Sequence, residues 1–175
     1  MKLLAFAATN SQQSINRALV TYAASQVNAD EVEILDLNDF EMAIYSIDRE
    51  NASGIPEQAQ LFFDKIGQAD AILISFAEHN GTYTAAYKNI FDWASRINQN
   101  FYQQKPVIML ATSPGPGGAK NVLDTAVTSA PFFNANVVGS LSIPSFYENF
   151  DLEKQTLINE ELNSQLISLV TKLNQ

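Results

Sequence analysis

Apolar and polar positions alternate along this chain in blocks that switch period. Lys2–Ala8 is a near-continuous apolar run, and the polar stretch Thr9–Ser14 follows it. Ile15, Ala18, Leu19, Tyr22 and Ala23 then recur at helical spacing. Val32–Leu37 reads as a second, half-alternating strand, and the connection Asn38–Gly54 carries Phe40, Met42, Ile44 and Tyr45 with no clear period. Connections this long in a compact domain commonly contribute to binding or assembly. Pro56 suits a first helical turn, and Ile55, Ala59, Phe62, Phe63 and Ile66 make a helical face before Gly67.

The same rhythm continues to the end. Asp70–Phe76 and Pro106–Thr112 are short apolar runs of the kind buried on both faces of a parallel sheet. Ala85–Ile97 is predicted helical, with Ala86, Ile90, Trp93 and Ile97 along one side. After Gly117 and Gly118, the positions Val122, Leu123, Ala126, Val127 and Ala130 mark another helix. Asn136–Gly139 is a short fifth strand, and a closing helix from about Leu152 is marked by Ile158, Leu162, Leu166, Leu169 and Leu173. Five βα units predict an α/β fold, an open parallel sheet covered by helices on both faces. Five strands in one domain fit the order 2-1-3-4-5, which sets the loops after strands 1, 3 and 4 side by side.

Composition narrows the partners. At 175 residues the chain fits one domain, 1–175, with a full core. A net charge of −9 lacks the basic footprint that nucleic acid or an anionic membrane surface requires. The absence of cysteine removes disulfide, thiolate and iron–sulfur chemistry, and one histidine without cysteine makes a zinc site a poor reading. No apolar run approaches the length of a membrane span, so the expectation is a soluble cytoplasmic protein.

The chemistry gathers in the three loops. Thr9, Ser11 and Ser14 offer hydroxyls, and the backbone N–H groups from Gln12 to Asn16 open a helix, where an anion is stabilised. Ser14 reads equally well as a plain N-cap, and Asn16 is placed to tie the loop to a neighbouring turn. No Gly-x-Gly-x-x-Gly and no Gly-x-x-x-x-Gly-Lys-Ser/Thr is present. The second polar loop is Glu78–Thr84 and the third Ser113–Lys120.

Taken in order, these segments resemble the NAD(P)H-dependent FMN reductase family of the flavodoxin-like superfold, which includes quinone, azo-dye and chromate reductases. The first signature, Gly-Ser-x-Arg-x-x-Ser-x-Asn-x-x-Leu, is matched by Ala8 through Leu19. The second, Pro-Glu-Tyr-Asn before a Leu-Lys-Asn-x-x-Asp-Trp helix, appears as Ala77-Glu78-His79-Asn80-Gly81 and then Tyr87-Lys88-Asn89-Ile90-Phe91-Asp92-Trp93. The third is the loop Ser113-Pro114-Gly115-Pro116-Gly117-Gly118. Ala8 stands where the family has glycine, Ser11 where it has arginine, and Ala77 and His79 where it has proline and tyrosine. Arg17 has two readings, a substitute phosphate cation or an outward-facing surface residue.

The resemblance implies a flavodoxin-like three-layer sandwich with FMN and NAD(P)H as cofactors. It implies hydride transfer from a nicotinamide through flavin N5 to flavin, quinone, azo or similar acceptors. The cofactor-binding residues it implies are Thr9, Ser11, Ser14, Ile15 and Asn16 for the phosphate end. For the ring it implies Glu78, His79, Asn80, Gly81, Ser113, Gly115, Gly117 and Gly118. It implies no catalytic side chain, since hydride transfer needs no protein base; His79 is a pocket-wall residue. It also implies a homodimer or homotetramer. Two other readings of the fold are a flavodoxin-like electron-transfer protein and a cofactor-free interaction domain.

Overall fold

The computed structural model describes residues 1–174. Its main sheet consists of β1 (Lys2–Ala8), β2 (Glu31–Leu35), β3 (Ala71–Phe76), β4 (Pro106–Thr112) and β5 (Asn136–Ile143). All pairings are parallel and the order is β2-β1-β3-β4-β5, as the sequence predicts. Period-two alternation on strands buried on both sides splits the core in two. Leu4, Phe6, Ala8, Ile72, Ile74, Phe76, Val107 and Met109 face one layer of helices, α3 (Glu57–Gln68), α4 (Ala85–Ile97) and α5 (Lys120–Ser129). Leu3, Ala5, Ala7, Leu73, Ile108 and Leu110 face the other, α1 (Ile15–Ser25) and α7 (Glu160–Val170).

The elements differ from the sequence reading where burial is partial. β2 stops at Leu35, because the Asp36 side chain caps a 3-10 turn, Leu37–Phe40, that buries Leu37 and Phe40. The aperiodic connection contains α2 (Ile47–Ser53), which buries none of its residues; hydrophobic spacing carries no signal for such a helix. β5 runs four residues past Gly139 to Ile143, since a half-buried edge strand containing Gly139, Ser140 and Ser142 lacks an apolar run. The closing helix does not begin at Leu152. A short helix α6 (Phe146–Asn149) and a hairpin of β6 (Phe150–Asp151) and β7 (Thr156–Leu157) come first, and Asn159 then caps α7. Among the described residues, no helix is long and apolar enough to cross a membrane.

Candidate functional site

The loops after β1, β3 and β4 converge at the carboxyl edge of the sheet, and buried polar clamps fix their roots. Asn16 is 2% exposed, and its side chain is tied to the strand ends. Its Nδ2 donates to the Thr112 carbonyl at 3.1 Å, and its Oδ1 accepts from Thr112 N at 3.1 Å and from Ser75 Oγ at 2.7 Å. Thr84 Oγ1 donates to the Ala8 carbonyl at 2.9 Å and caps α4 by accepting from Tyr87 N at 3.2 Å. Thr112 Oγ1 donates to the Ile143 carbonyl at 2.7 Å, and Ser142 Oγ to the Gly118 carbonyl at 2.8 Å. These groups must be paired because they lie away from water.

The first loop presents donors. Ser14 Oγ caps α1 by accepting from Arg17 N, and Thr9 Oγ1 accepts from Ser11 N, each at 3.2 Å. A hydroxyl whose lone pair is taken in this way keeps its hydrogen for another acceptor. The N–H groups of Ile15 and Asn16 begin the helix and have no acceptor among the described residues. Arg17 is not free to join them: its Nη1 lies 2.6 Å from Asp36 Oδ2. The Asp36 carboxyl is held below the usual carboxylate range, first by the N–H of Asn38 and then by the Asn38 amide and Arg17, against the opposing effect of burial. Of the two readings of Arg17, the geometry favours the surface ion pair.

The second loop is a tight reversal. His79 and Thr82 exchange backbone hydrogen bonds of 3.0 and 3.2 Å, and Asn80 and Gly81 both have positive φ, as in a type I′ turn. The Asn-Gly pair is the local signal for it. Glu78 turns its carboxylate to the amino end of α5, where Oε2 accepts from Val122 N at 2.9 Å. An acceptor there offsets the unpaired N–H groups of a helix whose own N-cap, Ala119, has no side-chain donor or acceptor.

In the third loop, Ser113 Oγ donates to the Gly115 carbonyl at 3.2 Å, so its hydrogen is used internally. Gly118 has φ +57°, and a Cβ there would lie 2.2 Å from Ser142 Oγ, so the fold itself demands glycine. Gly115 and Gly117 are different: neither has positive φ, and a Cβ on either would meet nothing within 4 Å. Nothing in the protein requires glycine at these two places. An open glycine edge of this kind admits close approach of a flat ligand to the backbone.

Between the loops lies a cleft of about 260 Å³ lined by Thr9, Ser11, Gln13, Ser14, Ile15, Asn16, Ala77, Glu78, His79, Thr112, Ser113, Pro114 and Tyr147. It collects residues from all three predicted segments; Asn80 and Gly81, exposed at the turn tip, and Gly115, Gly117 and Gly118, which follow Pro114 in the chain, do not line it. His79 also lines a second cleft of about 340 Å³ walled by Phe40, Met42, Ile44 and Ile90. Asn89 and Trp93 fasten the connection that walls it: Asn89 Nδ2 donates to the Met42 and Ala43 carbonyls, and Trp93 Nε1 to Ala43 at 2.7 Å. Trp93 is therefore buried beneath the connection. Tyr147, absent from the sequence reading, is 62% exposed at the edge of the first cleft. Sequence spacing gave no hint of it, because α6 is too short to have a period. Among the described residues, no group of three or more His, Asp or Glu side chains is arranged to hold a metal ion.

Comparison with known proteins follows the same outline. A family model described as NADPH-dependent FMN reductase matches residues 1–148. The chain is 28% identical over 149 residues to an uncharacterised protein of Mycoplasma pneumoniae, covering 82% of this chain and 87% of that one. It is 29% identical over 113 residues to an NADPH:quinone oxidoreductase of Arabidopsis thaliana. That match covers 65% of this chain but only 56% of the plant protein. In three dimensions it resembles the flavoenzyme NAD(P)H:(acceptor) oxidoreductase FerB of Paracoccus denitrificans, with a TM-score of 0.76 and 22% identity over 98% of this chain and 94% of that one.

Proposed function

The chain belongs to the NADPH-dependent FMN reductase family, and from that premise we propose where it seats the flavin and what it reduces. It is an FMN-dependent NAD(P)H oxidoreductase. Ala77–Gly81 and Ser113–Gly118 would hold the flavin ring, and Thr9–Asn16 its phosphate. The observation that carries this placement is the pair Gly115 and Gly117, open glycines that the fold does not need. They follow Pro114, which lines a cleft that also holds the hydroxyls of Thr9 and Ser14.

When bound, FMN supplies the two-electron chemistry between a nicotinamide and the acceptor. The chain's own residues supply position. Asn16 and Thr84 hold the loop roots rigid, so that the donors stay aimed without reorganisation. The backbone of Glu78, His79 and Asn80 would hold the ring's polar edge, and the Glu78 carboxylate, committed to α5, keeps that segment in place. Asn16 contributes its backbone N–H, its side chain being engaged below. His79 forms the wall shared with the second cleft, where the apolar surface of Phe40, Met42, Ile44 and Ile90 suits a flat acceptor such as a quinone, an azo compound or a free flavin. No side chain acts as acid or base in hydride transfer.

The working unit in this proposal is one flavodoxin-like domain, 1–175, paired as a homodimer. Ile44 and Ile47 are 75% and 51% exposed on the ridge formed by the connection and α2, beside the second cleft. The ridge is pinned to α4 by Arg96 on Glu50 and braced internally by Tyr45 on the same carboxylate, which makes it a firm surface for a second copy. The location that fits is the cytoplasm, where NAD(P)H is supplied, and the −9 charge disfavours nucleic acid and anionic membranes as partners. The test is spectroscopic. FMN-loaded protein mixed anaerobically with NADH or NADPH is expected to lose its visible flavin band stoichiometrically and to regain it on addition of a quinone. A flavin that binds but stays oxidised under both reductants overturns the reductase assignment.

A further inference from the structure

Met42–Tyr45, the part of the connection that walls the second cleft, belongs to no helix or strand, and none of its residues makes a backbone-to-backbone hydrogen bond among the described residues. Side chains of α4 supply what that backbone lacks. Asn89 Nδ2 donates to the Met42 and Ala43 carbonyls, each at 3.1 Å, and Asn89 Oδ1 accepts from Tyr45 N at 2.8 Å. Trp93 Nε1 donates to the Ala43 carbonyl at 2.7 Å, and the Tyr45 ring meets the Trp93 ring edge-on with centroids 5.0 Å apart. Arg96, one turn further along, holds Glu50 at 2.9 Å. Asn89, Trp93 and Arg96 recur at helical spacing and lie along one stripe of α4, so that stripe serves the connection and not the core beneath the sheet.

This fastening sets the fit of the cleft. One wall is Met42 and Ile44 on the connection, and the other is Ala86 and Ile90 on α4, the helix that carries Asn89. The half-buried Asn89 side chain is the tie between the two. Both its amide hydrogens and its oxygen are engaged with backbone, so it acts on an acceptor through the wall. A flat molecule in an apolar slot is held by dispersion contacts, and a gap of about 0.5–1 Å forfeits roughly a quarter to a half of each one. A small outward shift of Met42–Tyr45 therefore costs acceptor affinity while Thr9–Asn16 and Ser113–Gly118 stay as they are.

Resting on the assignment of the second cleft to the acceptor, we propose that Asn89 is a positioning residue for acceptor reduction: it ties Met42–Tyr45 to α4 and so fixes the fit of a flat acceptor, with Trp93 as the lesser tie.

The experiment measures acceptor KM and kcat for a planar naphthoquinone at saturating NAD(P)H, the affinity of the apoprotein for FMN, and acrylamide quenching of Trp93, the one tryptophan of the chain, in the apoprotein. Asn89→Ala removes three of the four hydrogen bonds from α4 to Met42–Tyr45. It is expected to raise acceptor KM about tenfold with kcat within about twofold, the pattern of lost uniform binding, and to leave FMN affinity within about twofold. Trp93, 1% exposed beneath the connection, becomes more readily quenched and its emission shifts to the red. Asn89→Asp turns a carboxylate oxygen toward the Met42 and Ala43 carbonyls and is expected to raise KM at least as far. Trp93→Phe keeps the ring, loses one bond and raises KM about threefold. Lys88→Ala breaks the Lys88–Asp92 pair elsewhere on α4 and leaves KM and quenching unchanged.

An acceptor KM that Asn89→Ala leaves within about twofold, or an FMN affinity that falls as far as the acceptor's, overturns the inference while the reductase assignment stands. A raised KM with Trp93 still shielded shows that Asn89 meets the acceptor itself and overturns the indirect role. A parent protein that passes electrons to no acceptor overturns the reductase assignment, and the inference with it.

Discussion

Asn16→Ala separates a clamp from a ligand. The side chain makes three buried hydrogen bonds, two to the backbone of Thr112 and one from Ser75 Oγ. Each contributes about 1 kcal/mol net, and truncation also leaves the Thr112 N–H, its carbonyl and the Ser75 hydroxyl unpaired in the interior. The sum is about 3–5 kcal/mol, a large share of the roughly 5–15 kcal/mol that holds a domain together. Urea unfolding of the apoprotein reads it directly. Asn16→Asp sharpens the test, because it keeps the acceptors but sets a carboxylate oxygen against the Thr112 carbonyl. Burial and that contact raise the folded-state pKa of the new carboxyl, so its protonated form is the stable one and the deficit grows as pH rises. The loss is expected to be larger at pH 8 than at pH 5. An Asn16→Ala protein within about 1 kcal/mol of the parent, yet unable to bind FMN, would show that the side chain reaches the cofactor and refute the clamp.

Other substitutions divide the third loop. Gly118→Ala forces a Cβ to within 2.2 Å of Ser142 Oγ at φ +57° and is expected to lower stability by about 1–3 kcal/mol in thermal or urea unfolding. Gly117→Ala meets nothing within 4 Å and should leave unfolding unchanged while weakening FMN about tenfold in a fluorescence titration. Glu78→Ala removes the acceptor at the start of α5 and is expected to cost about 1 kcal/mol, whereas Glu78→Gln, which keeps an oxygen there, costs less. Stability should fall at both pH extremes in a melting series. Glu33 is held low by Lys65, Asp36 by the Asn38 N–H and Glu50 by Arg96, so their contribution is present above about pH 4.5 and is lost as pH falls through their depressed folded values. Burial raises Tyr83, Tyr87 and Tyr102, so theirs is present below about pH 10 and is lost as pH rises above it.

How much of this was legible in the sequence depends on burial. β1, β3 and β4 are covered on both faces, and their apolar runs announce them almost to the residue. α4 was equally plain, because a strongly one-sided helix over a sheet has to show its period. α2, the far half of β5 and the hairpin before α7 bury little or alternate weakly, and the pattern that reveals structure is absent there. The site divides the same way. Loop positions and the Asn-Gly turn are local facts that a sequence carries. That Ser75, Thr84 and Thr112 lock the loop roots is a fact of packing between distant segments: Ser75 shows only as one hydroxyl in an apolar run, and Tyr147 left no trace.

The measurement that tests the central claim most directly is a crystal structure grown with FMN. The account predicts the flat ring between Ala77–Gly81 and Ser113–Gly118, over Gly115 and Gly117, with the phosphate within hydrogen-bonding distance of the Thr9 and Ser14 hydroxyls and the Ile15 N–H. Flavin density anywhere else on the molecule, or a phosphate turned away from the first loop, would contradict it.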